Sequence, residues 1–542
     1  MAAVSGSRSE ADPFNQPPPL RGHNLFLENG PLTEALEREG AGWAAEQVAA
    51  FAAGLDDEAR EWGRLANESP PQLRTHDRFG NRVDEVEFHP AWHELMRTSI
   101  GQGLHALSWR EPRPGAQVAR AALFFLMAQV EAGHGCPISM THAAVPALRA
   151  QPDVAAEWEP RLTSFEYDPG LRPAAEKGGA LCGMAMTEKQ GGSDVRANTT
   201  AARALGDGSY ELTGHKWVCS APMCDAFLVL AQADGGLSCF LLPRVLPDGT
   251  RNGFRIERLK DKLGDRSNAS SEIELEAAWA QLVGEEGRGV PTIITMVNHT
   301  RLDCVLGAAA AMREAVEQAT HHAAHRSAFG RRLVEQPLMQ NVLADLCVES
   351  EAATLTALRL AGAFDRGEHA FARIATAVTK YWVCKRGPGH AAEALECLGG
   401  NGYVEESGLP RLYRQQPVQS LWEGSGNVIC LDVMRALRRT PETLDAFLEE
   451  CRRGSGADPR LDEWLASLER ELGHADDESG ARRLVERMGL ALQGSLLVRH
   501  GDAAVADAFC ASRLGGGAGL AYGTLPPGVG TDAIVERHRP RA

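Results

Sequence analysis

The chain has 542 residues, more than a single hydrophobic core usually organises, so we expect three or four domains. Hydrophobic residues make up 44% of it and charged residues 24%, which is ordinary for a folded globular protein and excludes a chain that is disordered throughout. The formal net charge of −16 disfavours non-specific attraction to phosphate backbones, so a nucleic-acid function would require a locally basic face.

Targeting and metal-binding patterns are missing from the sequence. The first 20 residues are polar and contain three consecutive prolines, with neither the basic nor the apolar region of an export signal. Charged residues interrupt every apolar run before it reaches the roughly 18 residues of a membrane span. The 12 cysteines are scattered without a C-x-x-C pair, which favours buried free thiols. We therefore expect a cytoplasmic protein with no membrane contact and no metal.

The pattern of apolar residues changes along the chain. Residues 1–180 show apolar residues at helical spacing, as in 117–131, and predict an α-helical domain. Residues 181–286 contain short apolar runs between Gly, Asp and Pro turns and predict a β-domain. The predicted strands include residues 210–213, 226–231, 237–242 and 272–276.

Long helical segments return after the β-domain. Residues 287–440 predict a second α-domain, with helices at 301–326, 338–365 and 371–398 whose lengths suit a packed bundle. Residues 441–542 are also helical, but they are interrupted by glycines and look appended. The predicted fold class is therefore a multidomain α+β protein in which a β-domain lies between two α-domains.

A dinucleotide would need an unusual binding site in this chain. Neither G-x-G-x-x-G nor G-x-x-x-x-G-K-[ST] occurs. The candidate is residues 186–195, MTEKQGGSDV, where hydroxyls and glycines permit close backbone approach to a polar ligand. Taken alone, the same residues are equally well explained as a structural turn.

Five segments in order resemble the acyl-CoA dehydrogenase superfamily. Residues 186–195 resemble its T-E-x-x-x-G-S-D motif, 214–217 its G-x-K-x-W step, 326–330 its R-x-x-F-G motif, 398–403 its G-G-x-G segment and 421–427 its Y-E-G-T segment. The resemblance implies the acyl-CoA dehydrogenase-like fold, with an N-terminal helical domain, a middle β-barrel-like domain and a C-terminal four-helix bundle. It also implies FAD as cofactor and acyl-CoA as substrate.

The same resemblance implies the roles of particular residues. The implied flavin contacts are Met186, Thr187, Gln190, Gly191, Gly192, Ser193, Trp217, Val218 and Cys219, followed by Arg326, Phe329, Gly399, Gly400, Trp422, Ser425 and Asn427. Arg326 would reach the pyrophosphate of a neighbouring subunit's FAD, because a guanidinium can bind phosphate bidentately. The alternative is an ordinary exposed arginine at a helix end. The implied acyl-CoA contacts are Lys189, Ser193 and Arg301.

Glu423 matches the glutamate that removes the α-proton in this superfamily. A carboxylate beside Trp422 and an apolar substrate tail would have its pKa raised by desolvation, closer to the operating pH of a general base. Some members of the family carry the base just before an arginine, but here that place is Thr300, before Arg301. The alternative is a turn carboxylate before a helix at 427–438, capped by Ser425 or Asn427.

Other details resemble AidB-like proteins. The family's W-x-T triplet is replaced by Trp217, Val218 and Cys219, and a thiol is a poorer donor than a hydroxyl. The N-terminal extension, residues 129–140 and 259–270, and the tail past Arg439 complete the resemblance. It implies a homotetrameric flavoprotein of the adaptive response to DNA alkylation, with weak acyl-CoA dehydrogenase activity and double-stranded DNA bound through the C-terminal region.

The composition of the tail gives this DNA expectation little support. Residues 437–542 contain 14 arginines, no lysine and 17 acidic residues, so DNA binding would require the arginines to share one face. The candidate contacts are Arg435, Arg438, Arg439, Arg452 and Arg453. The alternative is that these arginines pair with neighbouring glutamates on solvated helices.

Three functional hypotheses follow from the sequence. The first is an AidB-like protein of the alkylation response. The second is a metabolic acyl-CoA dehydrogenase that oxidises a short or branched acyl chain, in which the tail serves oligomer contacts only. The third is a flavin-stabilised binding protein without turnover, in which Glu423 has no catalytic role.

Overall fold

The computed structural model describes residues 15–473 and 477–541. Most of the leading polar segment, residues 1–14, lies outside them. The N-terminal region is helical, as predicted, but also contains a hairpin of β1 (Gln72–His76) and β2 (Arg82–Glu87) that the helical prediction missed. Its helices are α1 (Gly30–Arg38), α2 (Ala45–Ala53), α3 (Asp57–Glu68), α4 (Pro90–Gly101), α5 (Leu107–Arg110), α6 (Ala116–Val130), α7 (Gly135–Leu148) and α8 (Pro152–Leu162).

The middle region is a sheet that closes on itself. Its strands are β3 (Cys182–Ala185), β4 (Ala201–Ala204), β5 (Ser209–Ser220), β6 (Ala226–Ala233), β7 (Gly236–Pro243), β8 (Phe254–Leu259) and β9 (Ser270–Leu282). The path β6-β4-β5-β9-β7 returns to β6, because β7 pairs with β6 as well as with β9. β6 and β7 are buried on both faces over most of their length, which explains their continuous apolar runs.

Long helices follow the sheet. They are α9 (Gly289–His325), α10 (Pro337–Asp365) and α11 (His369–Cys397), with the shorter α12 (Gly400–Tyr403), α13 (Leu409–Gln419) and α14 (Gly426–Arg439) and a two-residue hairpin of β10 (Ser327–Ala328) and β11 (Arg331–Arg332). The prediction for α9 began 12 residues too late, because residues 289–300 are polar and β-branched. Packing of α9 against α7 and β7 overrides that local preference.

The C-terminal tail is packed into the molecule. Its helices are α15 (Pro441–Arg452), α16 (Pro459–Leu472), α17 (Ala481–His500), α18 (Ala503–Phe509) and α19 (Thr531–His538). α17 contacts α10, α11 and α14, and Trp382 Nε1 of α11 donates to Gln493 Oε1 of α17 at 2.9 Å. One hydrophobic core includes the N-terminal helices, the bundle and this tail. The tail is therefore an integral part of the packed molecule and not a loosely appended region.

The helical and sheet regions confirm the predicted fold class. A helical region, a closed sheet and a helical bundle follow one another along the chain, and the bundle is extended by the tail helices. Within the described ranges, no helix has the length and apolarity needed to cross a membrane. All 12 cysteines are buried and free.

Candidate functional site

Glu423 lies in the turn between α13 and α14 with an unusual backbone conformation. Its φ is +57°, in the left-handed region that costs a non-glycine residue free energy and is often found at functional sites. Two buried cations hold this turn through its carbonyl groups. Arg301 Nε donates to Glu423 O at 3.0 Å, and Lys380 Nζ donates to Gly424 O at 2.5 Å. The surrounding helices therefore determine where the carboxylate lies.

Glu423 is half-buried, and the Oε2 atom of its carboxylate is fully buried. Its Oε2 has no hydrogen-bond partner among the described residues. Burial raises the pKa of this carboxyl above its usual range, while Thr300, Arg301 and Lys380 act in the opposite direction. A free oxygen on a carboxylate with a raised pKa is the arrangement that a general base requires.

A narrow cavity adjoins this carboxylate. It lies between α6, α7 and α9, and the turn of Glu423 closes one side. The lining residues are Phe124, Ala128, Ala132, Gly135, Cys136, Ser139, Met140, Thr300, Asp303, Cys304, Gly307, Gln419, Trp422 and Glu423. Most of the lining is apolar or small, as an acyl chain requires. Asp303 is neutralised there by a buried bidentate ion pair with Arg120.

Three residues that support the turn, Lys380, Arg373 and Asp432, were not predicted from the sequence. Lys380 is only 1% exposed, and Asp432 accepts from Arg301 at 2.9 Å and from Arg373 at 2.7 Å. These two arginines hold the pKa of Asp432 below its usual range, although burial acts to raise it. Asp432 gave a weak sequence signal, since it interrupts the apolar face of α14. Lys380 gave none, because only the fold brings α11 to Gly424.

The loop after β3 is anchored by a buried carboxylate. Glu188 accepts from Lys216 Nζ at 2.7 Å and from the backbone and hydroxyl groups of Thr199 and Thr200. Burial acts to raise the pKa of Glu188, but the hydrogen bond from Lys216 and those from the threonines hold it at about 2. The backbone that follows is left accessible. Of the predicted contacts, Met186, Thr187 and Gly191 are half-buried, and Lys189, Gln190, Gly192 and Ser193 are exposed.

The predicted Trp217, Val218 and Cys219 contacts divide between two environments. Trp217 is half-buried, its backbone N–H donates to Thr187 O at 2.8 Å, and Lys260 Nζ lies 3.4 Å from its ring centroid. Val218 is exposed. Cys219 is fully buried in the sheet, and burial raises the pKa of its thiol to about 12. A bulge in the β5 pairing at this point separates the outward tryptophan from the inward thiol.

Solvent reaches Arg326 and Phe329, which follow α9, and Gly399 and Gly400 at the start of α12, whereas Oε2 of Glu423 is buried. Arg326 follows α9 and donates to Asn15 O, and Phe329 is 97% exposed. A Cβ on either glycine would meet no atom within 4 Å. An exposed phenylalanine beside an arginine and open backbone is typical of a surface that another molecule covers.

The remaining predicted flavin contacts lie beside Glu423. Trp422 is half-buried, and its Nε1 donates to Gln419 Oε1 at 3.1 Å. Ser425 is the N-cap residue of α14 but makes no side-chain cap hydrogen bond, and Asn427 Oδ1 accepts from Arg482. Arg301, predicted as a substrate contact, is buried and holds the turn.

Most of the arginines predicted to bind DNA are in ion pairs. Arg435 pairs with Asp432, Arg438 with Glu478, Arg452 with Glu469 and Arg453 with Glu450. Arg439 is exposed at the end of α14. Pairing with carboxylates lowers the positive potential that a phosphate backbone would experience.

Comparison with other proteins assigns the chain to a family. Residues 183–278 match the acyl-CoA dehydrogenase middle domain, residues 287–438 match the acyl-CoA dehydrogenase C-terminal domain, and residues 15–169 match the adaptive response protein AidB N-terminal domain. The chain is 49% identical to AidB of Escherichia coli (strain K12), over 92% of this chain and 93% of that protein. It is 31% identical to acyl-CoA dehydrogenase family member 11 of Caenorhabditis elegans, over 92% and 88%.

A solved structure with a similar fold agrees with these matches. The crystal structure of Caenorhabditis elegans ACDH-11 in complex with C11-CoA superposes with a TM-score of 0.84 at 28% identity, covering 95% of this chain and 94% of that one. The chain therefore belongs to the acyl-CoA dehydrogenase family, as an FAD-dependent oxidoreductase. Within that family it is AidB-like, because the AidB N-terminal domain and the near full-length AidB match occur together.

The residues present fit FAD. Gly191, Gly399 and Gly400 have open space where a side chain would project, so a polar ligand can approach their backbone closely. Trp217 presents a half-buried aromatic ring beside the anchored loop after β3. These groups supply the aromatic surface and the accessible backbone that a flavin dinucleotide uses.

Proposed function

We propose that this protein dehydrogenates acyl-CoA at its α and β carbons, with Glu423 as the general base. The observation that carries the proposal is the buried, unpartnered Oε2 of Glu423 beside a largely apolar cavity. Bound FAD would accept the β-hydrogen as hydride. Glu423 would take the α-proton, and the hydrogen bonds from Arg301 and Lys380 to its turn would keep the carboxylate in place.

We assign FAD binding to the predicted contacts in two groups. The anchored loop at 186–193 would contact the flavin, together with Trp217, Val218, Trp422, Ser425 and Asn427. Cys219 would not, because it is fully buried in the sheet. Arg326, Phe329, Gly399 and Gly400 would contact the FAD of a neighbouring subunit in a homotetramer, because they lie on an exposed surface. Lys189 and Ser193 would contact the CoA portion of the substrate, whereas Arg301 acts as a positioning residue. We place the protein in the cytoplasm.

Anaerobic flavin bleaching by acyl-CoA tests the base. Glu423→Gln keeps the shape of the side chain but removes its basicity, so the bleaching rate should fall by roughly 100-fold to 10,000-fold. The matched control is Glu442→Gln, an exposed carboxylate at the start of α15, which should bleach like the wild type. Equal rates for wild type and Glu423→Gln would reject the assignment, as would a wild type that no acyl-CoA bleaches.

The pH dependence of the same rate tests the electrostatics. Because burial raises the pKa of Glu423, the rate should increase with pH through a range above the usual carboxyl range. A rate that is already at its maximum at pH 5 would contradict the raised pKa. A short or branched acyl chain oxidised at a metabolic rate would favour the metabolic dehydrogenase.

A second candidate function is double-stranded DNA binding in the adaptive response to DNA alkylation. The match of residues 15–169 to the AidB N-terminal domain favours it. The ion pairs of Arg435, Arg438, Arg452 and Arg453 limit the free positive charge, so we expect moderate affinity that falls steeply with salt.

Point substitutions test this function better than truncation, since the tail shares the core of the bundle. Arg452→Gln and Arg453→Gln should each weaken binding of a DNA duplex at low salt and reduce the salt slope by about one unit. Arg203→Gln in β4 is the control, because that arginine is likewise exposed and paired with a carboxylate. Unchanged binding in both tail variants would remove the assigned contacts. If neither the wild type nor any of these variants binds DNA, the DNA-binding function is rejected and only the dehydrogenase function remains.

A further inference from the structure

The cavity beside Glu423 ends at a glutamine rather than at a hydrophobic wall. Gly307 on α9 and Gln419 on α13 both line it, and a Cβ added at Gly307 would lie 3.1 Å from Gln419 Nε2. Gln419 is anchored by the hydrogen bond from Trp422 Nε1. A polar, rotatable side chain therefore closes the far end of the cavity.

Beyond that end, two helices of the cavity, α6 and α9, line a second and larger space together with α13, which carries Gln419. It is a groove of about 980 Å³, which we call the distal groove, and α6, α9 and α13 contribute Gln129, Glu314 and Gln415 to it. On α13, Gln415 precedes Gln419 by one helical turn, so the two side chains lie on the same face. The cavity and the distal groove therefore follow one another along the helices.

Buried polar groups without partners line the inner wall of the distal groove. Among the described residues, neither Nε2 nor Oε1 of Gln129 has a hydrogen-bond partner, and Gln129 is 3% exposed. Gln415 is 4% exposed and Asp265 5%, and within the same described ranges Gln415 Nε2 and both Asp265 carboxyl oxygens have no partner. Leaving such groups unsatisfied costs free energy, which a bound molecule with hydrogen-bonding groups would recover.

The backbone segments that carry these groups lie close together. Gly264 packs directly on α13, where an added Cβ would lie 2.4 Å from Arg414 O and 2.9 Å from Gln415 Cα, so the neighbouring Asp265 lies against that helix. Arg411, one turn before Gln415, donates from Nη2 to Val130 O at 2.9 Å, next to Gln129. We call Gln129, Asp265 and Gln415 the distal polar niche.

We propose that the acyl cavity continues past Gln419 into the distal polar niche, and that the protein binds long-chain acyl-CoA whose far end carries a hydroxyl group. The inference rests on the proposed function, since it uses the same cavity. The niche offers both donors, from the two glutamines, and acceptors, from Gln129 Oε1 and the Asp265 carboxyl. A hydroxyl both donates and accepts, whereas a carboxylate only accepts and would leave the acceptors unmatched.

The length of the path sets the chain length. Thr300 beside Glu423 and Gly307 at the cavity end are separated by roughly 10 Å along α9, at 1.5 Å per residue. Gln415 lies about 6 Å further along α13. An extended chain advances roughly 1.2 Å per bond, so about 13 bonds separate the reacting carbons from the niche. A chain of about 16 carbons therefore reaches it, and one of 10 carbons does not.

Binding to the FAD-loaded Glu423→Gln protein tests the inference without turnover. Calorimetric titration should give a Kd for 16-hydroxyhexadecanoyl-CoA that is lower than that for hexadecanoyl-CoA, on the order of tenfold. The preference should vanish between 10-hydroxydecanoyl-CoA and decanoyl-CoA, because these chains end before the niche. Equal Kd values for the two long chains would overturn the proposal, as would tighter binding of hexadecanedioyl-CoA than of the hydroxylated chain.

Variants of the niche locate the interaction. Gln129→Leu and Gln415→Leu should each reduce the preference for the hydroxylated chain to less than half, whereas Gln102→Leu, an exposed glutamine after α4, should retain it. A preference that survives in both niche variants would overturn the assignment. The comparison of acyl chains bound to the protein with an unmodified niche tests the proposal even if a niche variant fails to fold. Failure of the dehydrogenase function would appear separately, as a wild-type flavin that acyl-CoA does not bleach.

Discussion

Asp265 provides a direct test of the buried electrostatics of this protein. Burial raises the pKa of its carboxyl from the ordinary 3.8 to about 7, with Lys262 and Arg411 acting to lower it and Glu131 to raise it. The unfolded chain ionises this group near pH 4, whereas the folded protein ionises it near pH 7. Folding therefore takes up a proton between these values, so the contribution of Asp265 to stability is most favourable below pH 4 and is lost as the pH rises towards 7.

The size of this effect follows from the shift. At 1.36 kcal/mol per pH unit, a rise from 3.8 to about 7 corresponds to at most roughly 4 kcal/mol of lost stability above pH 7. Asp265→Asn keeps the shape of the side chain and cannot ionise. We expect this variant to be more stable than the wild type at pH 8 and to lose the advantage at pH 4.5.

Chemical denaturation of wild type and variant across pH 4.5 to 8 measures the difference. Asp261→Asn, an exposed neighbour in the same loop, is the control and should follow the wild type at every pH. A difference between wild type and Asp265→Asn that does not change with pH would refute the reasoning, because it would show that Asp265 ionises alike in the folded and unfolded states.

Two further perturbations test the acyl cavity and the turn that carries the base. Arg120→Leu should destabilise the protein by about 3–5 kcal/mol, because it leaves Asp303 buried without its partner. The double variant with Asp303→Leu should lose less stability, and thermal unfolding measures both losses. If the loss in the double variant equals the sum of the two single losses, the two residues are not coupled. Gly424→Ala should reduce both stability and the bleaching rate, since φ there is +110° and an added Cβ would lie 3.0 Å from Ile429 Cδ1. An unchanged rate in this variant would mean that the turn does not position Glu423.

The sequence by itself determined the class of protein. Motifs such as 186–195 and 421–427 are contiguous, so each can be identified from neighbouring residues alone. Helical and strand periodicity likewise depends on neighbouring residues, which is why the order of helical and sheet regions could be predicted. The start of α9 could not, because packing against α7 and β7 outweighs the β-branched residues there.

Only the tertiary structure decided what supports the base and what surrounds the tail. Lys380 and Arg301 reach the turn of Glu423 from helices that are distant in sequence, and no local pattern reports such a contact. Arg452 pairs with Glu469 of a neighbouring helix, so its charge is neutralised by a partner that counting residues cannot reveal. Burial, which sets the pKa of Glu423 and of Asp265, is likewise a property of the packed molecule.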